Sequence, residues 1–178
     1  AVVSNLSSSR ALADLAQQQG VEYHASAVGE VHVVEKMKAV NAIIGGEGNG
    51  GIILPQLHYG RDALVGIALF LSFLAKQNTS VSELKKNYSN YVMAKQKIAL
   101  SQDWNADALL AHVIKSFANE RVTTIDGVKI DFEDSWIHLR KSNTEPIIRL
   151  YAEAADENRI HQQVAKIESA IAAFVAST

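Results

Sequence analysis

Short apolar runs alternate with stretches of helical period through the first half of the chain. Ala1 to Val3 reads as a buried strand, and Ser9 to Gln19 as a helix with Ala11, Leu12, Leu15 and Ala16 on one face and Gly20 as its stop. Val21 to Ala25 is a second predicted strand. Gly29 to Val40 is a helix striped by Val33, Val34, Met37 and Val40, and Ala42 to Ile44 is a third strand. That strand runs into Gly45-Gly46-Glu47-Gly48-Asn49-Gly50-Gly51, and Ile52 to Leu54 leaves it. Asp62 stands where it can cap a helix reaching Lys76, apolar enough that burial on most sides is expected. Strand-helix-strand-helix-strand order implies a parallel sheet between helical layers.

The pattern changes in the second half. A short helix is expected over Val81 to Asn87, followed by a change of pattern across Tyr91 to Leu100, and then a helix from Asn105 to Asn119 capped by Asn105 or Asp103. Strands follow at Arg121 to Thr124, Val128 to Phe132, Trp136 to Arg140 and Ile147 to Ala154, with Asp126-Gly127 as a hairpin turn signal. Asp156 to Ala176 closes the chain as a helix with Ile160, Val164, Ile167 and Ile171 inward. The fold class expected is α/β plus α+β: a partial three-layer α/β unit over residues 1–88, then a small α+β unit over residues 89–178, a four-stranded sheet with two helices. The join falls near Asn87 to Tyr91.

Composition narrows the function classes. The 178 residues are room for one domain or two small ones, and 48% hydrophobic with 20% charged residues is the balance of a soluble globular protein. A net charge of -2 supplies no overall basic field for nucleic acid or an anionic membrane, so neither is expected as a partner. Zero cysteines exclude disulfides and thiolate metal sites and fit a reducing, cytoplasmic location. The longest apolar stretch, Ala63 to Leu74, is broken by Gly66 and Ser72. The chain opens on Ala-Val-Val, with neither an initiator methionine nor a signal-type region, as a piece of a larger protein would.

Candidate chemistry concentrates in two loops. Arg140-Lys141-Ser142-Asn143-Thr144-Glu145-Pro146-Ile147-Ile148-Arg149 sets a hydroxyl-amide-hydroxyl run between two arginines. Guanidinium groups offer planar bidentate donors and Ser142, Asn143 and Thr144 supply shaped hydrogen bonds, a set suited to a phosphate; the plainer reading is a polar turn between strands. In Gly45 to Gly51 the glycines let backbone approach a ligand closely, and Glu47 and Asn49 are the functional groups. A carboxylate with an amide suits vicinal sugar hydroxyls, whereas the plainer reading is a glycine-rich hairpin with an exposed glutamate. No Gly-Lys-Ser/Thr follows, so the loop is not a nucleotide P-loop. The six histidines show no paired metal spacing. Surface exposure is expected for His32, a place beside the sugar loop or in a cleft for His58, and core positions for Trp104 and Trp136.

Taken together, Gly-Gly-Glu-Gly-Asn-Gly-Gly and, about 90 residues later, Arg-Lys-Ser-Asn-Thr-Glu-Pro resemble the α-D-phosphohexomutase family of phosphoglucomutases, phosphomannomutases and phosphoglucosamine mutases. Val28-Gly29-Glu30 resembles that family's third-domain loop, and Arg61-Asp62 the start of its following helix. The resemblance covers essentially the whole chain. It implies the last part of a third domain followed by a complete, TATA-box-binding-protein-like fourth domain, with a hinge near Asn87 to Tyr91. It further implies that Glu47 and Asn49 read sugar hydroxyls, while Arg140, Ser142, Asn143, Thr144 and Arg149 hold a phosphate.

The same resemblance implies parts that this chain lacks. The family's phosphoserine loop and its Mg2+ loop of closely spaced aspartates are not found; Ser7-Ser8-Ser9 reads as helix cap and loop, and Asp131 and Asp134 as turn residues. The full-length protein is therefore expected to interconvert 1-phospho and 6-phospho hexoses through a phosphoserine enzyme and a bisphosphosugar. This portion alone is expected to be inactive, with the phosphorylated hexose and the missing N-terminal domains as its partners. The alternative is a non-catalytic sugar-phosphate binding module. Val28-Gly29-Glu30 with Val34-Glu35-Lys36-Met37 resembles the glucosamine enzymes, whereas Gly48-Asn49 and Ser142-Asn143 depart from them, which leaves glucosamine, mannose and glucose open.

Overall fold

Val2 and Val3 sit in the middle of the first sheet, where a strand with both neighbours parallel is covered on its faces and tolerates an unbroken apolar run. In this computed structural model, which describes residues 1–101, 104–142 and 144–177, two units are distinguished, Ala1–Asn90 and Tyr91–Thr178. The first holds β1 (Val2–Asn5), α1 (Ala11–Gln18), β2 (Tyr23–Ser26), α2 (Glu30–Ala39), β3 (Ile44–Glu47), β4 (Gly51–Ile53), α3 (Ala63–Gln77) and α4 (Val81–Lys85). Its sheet runs β2-β1-β3-β4, with β1 parallel to β2 and β3, and β4 antiparallel to β3. Val3, Val33, Met37, Ala42 and Ile53 form its core. The third strand lies later than its apolar run suggests: Gly45, Gly46 and Glu47 pair with Ile53, Ile52 and Gly51, which makes the glycine-rich segment a hairpin.

One expectation about this unit is overturned. Asp62 does cap α3, its carboxylate accepting the Val65 N–H at 3.0 Å. Yet no residue of α3 is buried, and Leu64 is 78% exposed. The helix meets its own sheet chiefly along the edge strand β4, where Gly66 lies against Ile52. A nearly uniform apolar sequence predicts burial, but this chain supplies only one side of it.

The second unit holds β5 (Val92–Ala99), α5 (Ala106–Ser116), β6 (Arg121–Thr123), β7 (Val128–Asp131), β8 (Trp136–Lys141), β9 (Ile147–Ala154) and α6 (Glu157–Ala176). The fold class is as expected, but the sheet has five antiparallel strands, β5-β9-β8-β7-β6, where four were expected. The added strand β5 lies at the sheet edge and leaves Met93, Lys95, Gln96 and Lys97 exposed, so its alternation is too faint to read as a half-buried strand. Asn105 caps α5 by accepting from the Asp107 and Ala108 N–H groups; Asp103 lies outside the described residues. Leu109, Val113, Ile137, Leu139, Ile148, Leu150, Val164 and Ile167 pack α5 and α6 onto one face of the sheet. Trp136 is buried as expected, its indole N–H donating to the buried Glu153 at 2.9 Å, and Trp104 packs at the edge of the same core.

Candidate functional site

In the first unit β1 has parallel neighbours reached by connections running to opposite sides, an arrangement that opens a crevice at the carboxyl ends of the strands. Asn5 ends β1 and Glu47 ends β3 there. The Asn5 Nδ2 donates to Glu47 Oε1 at 2.8 Å and the Gly29 N–H to the same oxygen at 3.1 Å, while Arg61 Nη1 lies 3.7 Å from Oε2. The Glu47 side chain is only 7% exposed, so the hairpin does not leave it free in solvent. Ser7, Ser8 and Ser9 serve the turn after β1: the Ser7 N–H and the Ser8 hydroxyl donate to Asn5 Oδ1, and Ser9 Oγ accepts the Ala11 N–H.

Arg61 links this carboxylate to a second one. Its Nε–H donates to Glu30 Oε2 at 2.8 Å and its backbone N–H to Glu30 Oε1 at 3.2 Å. Those two donors, the backbone one first, hold the Glu30 carboxyl below the usual carboxylate range. Gly51 makes the arrangement possible, because a Cβ there would run into the Arg61 side chain. Arg61 and Glu30 line an open cavity of about 440 Å³ together with Asn49, Gly50, Gly51 and Ala63. Asn49 thus lines the cavity, whereas Glu47 is anchored behind Arg61. His58 bonds to Asp62 at 3.1 Å, and His32 is an exposed residue 3.6 Å from Glu35.

The second unit presents its candidate residues on the sheet face opposite the helices. Cross-strand partners share a face, and the register pairs Lys97 with Arg149 and Arg149 with Arg140. Three cations therefore stand in one row on adjacent strands β5, β9 and β8. Like charges directly opposite one another repel, and each is compensated by an acid at the edge of the row. Arg140 Nε lies 2.8 Å from Asp126 Oδ2 as an ion pair without an aligned hydrogen bond. Arg149 Nη2 donates to Glu145 at 3.3 Å, and Lys97 Nζ to the same carboxylate at 3.2 Å. The loop between β8 and β9 follows at the end of this row. Its Ser142 N–H donates to the Ile147 carbonyl at 3.0 Å, and Ser142 Oγ accepts the Thr144 N–H at 3.4 Å. Asn143, the other residue assigned to phosphate from the sequence, lies outside the described residues.

Asp126 is held in place by its neighbour in the row behind. His138 is buried, its Nε2 bonding to the Asp126 carbonyl at 2.6 Å, and burial pushes its pKa down to about 4. Gly127 follows at φ +64°, in a turn where a Cβ would strike the Leu139 carbonyl. The turn is thus pinned to β8 on either side of Leu139, by His138 and by Arg140. Because folded His138 resists protonation while the unfolded chain takes up a proton near pH 6.5, its stabilising contribution is complete above that pH. It is lost as pH falls toward 4, by about 3 kcal/mol from the shift. Urea unfolding between pH 7.5 and 4.5 is expected to show this decline, and a His138→Gln variant a shallower one; parallel curves would refute it.

Lys97, Asp126, Arg61 and Glu30 were not assigned site roles from the sequence. Asp131 and Asp134 pair with Lys129 at 3.1 Å and Arg159 at 3.0 Å. Among the described residues no group of three or more His, Asp or Glu side chains could hold a metal ion. No helix of the described residues is long and apolar enough to cross a membrane.

Comparison with known proteins gives the same architecture a family. The family model of the phosphoglucomutase/phosphomannomutase α/β/α domain III matches residues 1–91, and that of the phosphoglucomutase/phosphomannomutase C-terminal domain matches residues 82–170. A phosphoglucosamine/phosphogalactosamine mutase of Sulfurisphaera tokodaii is 34% identical over 96% of this chain, and a phosphoglucomutase/phosphomannomutase of Thermococcus kodakarensis 32% identical over 90%. The chain spans only 38% and 35% of the length of these relatives. A crystal structure of a phosphoglucomutase/phosphomannomutase family protein from Burkholderia thailandensis shares the fold, with a TM-score of 0.77 at 24% identity over 97% of this chain and 37% of that one.

Proposed function

Because this chain belongs to the phosphoglucomutase/phosphomannomutase family and matches its third and C-terminal domains, we propose that it is the substrate-holding part of a phosphohexomutase. The row of Lys97, Arg149 and Arg140 carries this reading: cations on adjacent strands, with a hydroxyl-bearing loop at their end, form a seat for a dianionic phosphate. Arg140 supplies the main charge, with Ser142, Asn143, Thr144 and Arg149 around the same group. A bound phosphate replaces the Asp126 and Glu145 contacts as counter-charge to the row.

In a mutase that takes both 1-phospho and 6-phospho hexoses, one phosphate reacts while the other is held. The Arg140 loop holds the one that is not reacting. Binding energy from that remote group then orients the reacting hydroxyl. Asn49 reads sugar hydroxyls from the cavity beside Arg61, and Glu47 fixes Arg61 and the hairpin from behind as well as offering its remaining lone pairs. The phosphoserine and the Mg2+ that the family resemblance implies belong to parts of the longer relatives that this chain does not span. The metal finds no ligand set among the described residues, and the chain alone is expected to be inactive.

The substrate we propose is a hexosamine phosphate, on the Val28-Gly29-Glu30 and Val34-Glu35-Lys36-Met37 pattern and with Glu30 lining the cavity. Turnover of glucosamine 1-phosphate, mannose 1-phosphate and glucose 1-phosphate by the full-length enzyme, side by side, is expected to give the highest kcat/KM for the first. A higher value for either of the others would overturn the hexosamine assignment and leave the phosphate seat standing.

A further inference from the structure

Glu145 stands across two of the three cations in the row on β5, β9 and β8. Lys97 Nζ lies 3.2 Å from its Oε1 and 3.5 Å from its Oε2, and Arg149 Nη2 donates to Oε2 at 3.3 Å. Lys97 and Arg149 are register partners, so one carboxylate bridges two cations that the sheet holds side by side. Two oxygens spread over two cations is also how a phosphate would meet them, with one charge more. The acid thus covers the part of the row that a bound phosphate would need.

The side chain can leave while its backbone stays. The Glu145 carbonyl accepts the Ile147 N–H at 2.8 Å, and the Pro146 carbonyl accepts the Leu100 N–H at 3.0 Å. The carboxylate itself is 43% exposed on a flexible stem, so a change of rotamer carries it off the row into solvent. Asp126 is 21% exposed and set in the turn that His138 and Gly127 pin, so of the two acids Glu145 is the freer to move. Exposed ion pairs are weak, and a dianion can displace this one. With the carboxylate gone, Lys97 and Arg149 repel each other until another anion arrives. The empty row is relieved by Glu145, and the filled row has to shed it.

We propose that Glu145 is an internal counter-ion that closes the phosphate seat when it is empty and competes with the phosphate of the ligand. It holds the affinity of the seat down, so that a phosphosugar is let go as well as gripped. This inference rests on the reading of the Arg140 row as a phosphate seat. A competitor built into the protein lowers apparent affinity by the fraction of molecules it leaves open, and an exposed ion pair at the upper end of its usual strength corresponds to about 5-fold.

Calorimetric titration of the full-length enzyme with inorganic phosphate tests this, in wild type, Glu145→Gln, Glu145→Ala and Arg140→Ala. The binding step that Arg140→Ala weakens identifies the row. Glu145→Ala repeats the test without an amide that could itself bond to the cations. Both Glu145 variants are expected to bind phosphate about 5-fold more tightly than wild type. Without phosphate their melting temperature is expected to fall below that of wild type, and phosphate is expected to raise it by more. A residue that merely supported the loop would lower stability without raising affinity. Unchanged or weaker binding in the Glu145 variants, with Arg140→Ala still weakening it, would overturn the competitor and leave the phosphate seat standing. Unchanged affinity in Arg140→Ala would overturn the seat, and this proposal with it.

Discussion

Replacing Arg140 by alanine is expected to lower kcat/KM of the full-length enzyme for hexose phosphates by about 10²–10³-fold, because charge-assisted hydrogen bonds to a phosphate contribute about 1.5–3 kcal/mol each. The guanidinium is one-quarter exposed and bracketed by Asp126 and, across the strand pair, by Arg149. Removing it leaves Asp126 without its partner, so the local charge near the seat swings toward negative as well. Steady-state kinetics with a 1-phosphosugar checks the result, and kcat/KM within a factor of about three of wild type would be a change below 1 kcal/mol, too small for the main phosphate ligand.

The second large effect is expected at Glu47. In Glu47→Gln the amide oxygen can still accept from Asn5 and Gly29, but the amide nitrogen turns a donor toward Arg61, where a carboxylate oxygen lies 3.7 Å from Nη1. Arg61 loses that counter-charge, and with it the link that joins Glu47 to Glu30 of α2. A loss of about 10–100-fold in kcat/KM for the phosphosugar follows from about 1.5–3 kcal/mol for a charged hydrogen-bonding partner. Affinity for inorganic phosphate, measured by calorimetry, is expected to stay unchanged. Equal loss of phosphate binding would mean that Glu47 supports the protein as a whole and has no specific part in the sugar loop.

Much of this was legible locally. Asp62 and Asn105 cap helices from side chains whose chemistry names the position. The α/β order of the first unit and the hairpins of the second followed from period alone. The Arg140 to Arg149 segment, proposed to hold phosphate, stands out by residue type, a hydroxyl-amide-hydroxyl run between two arginines. What local pattern could not give was register. Lys97 joins Arg149 only because β5 pairs with β9 in a particular alignment, and Asp126 meets Arg140 only because the turn folds back over Leu139. Arg61 reaches Glu30 and Glu47 from parts of the chain with no periodic relation to it. The exposed α3 failed for another reason: an apolar sequence predicts that a surface is covered, and does not say by what.

The Arg140 loop is proposed to hold the phosphate that is not being transferred. A thermodynamic cycle pairing Arg140→Ala with removal of that phosphate from the substrate tests it. Phosphoryl transfer from the phosphorylated full-length enzyme would be measured for a hexose phosphate and for the same hexose without phosphate, in wild type and variant. The predicted result is a loss of about 10²–10³-fold with the hexose phosphate and almost none with the free hexose, because Arg140 has nothing to hold there. Equal losses with both acceptors would contradict the claim and place Arg140 in the general structure of the unit.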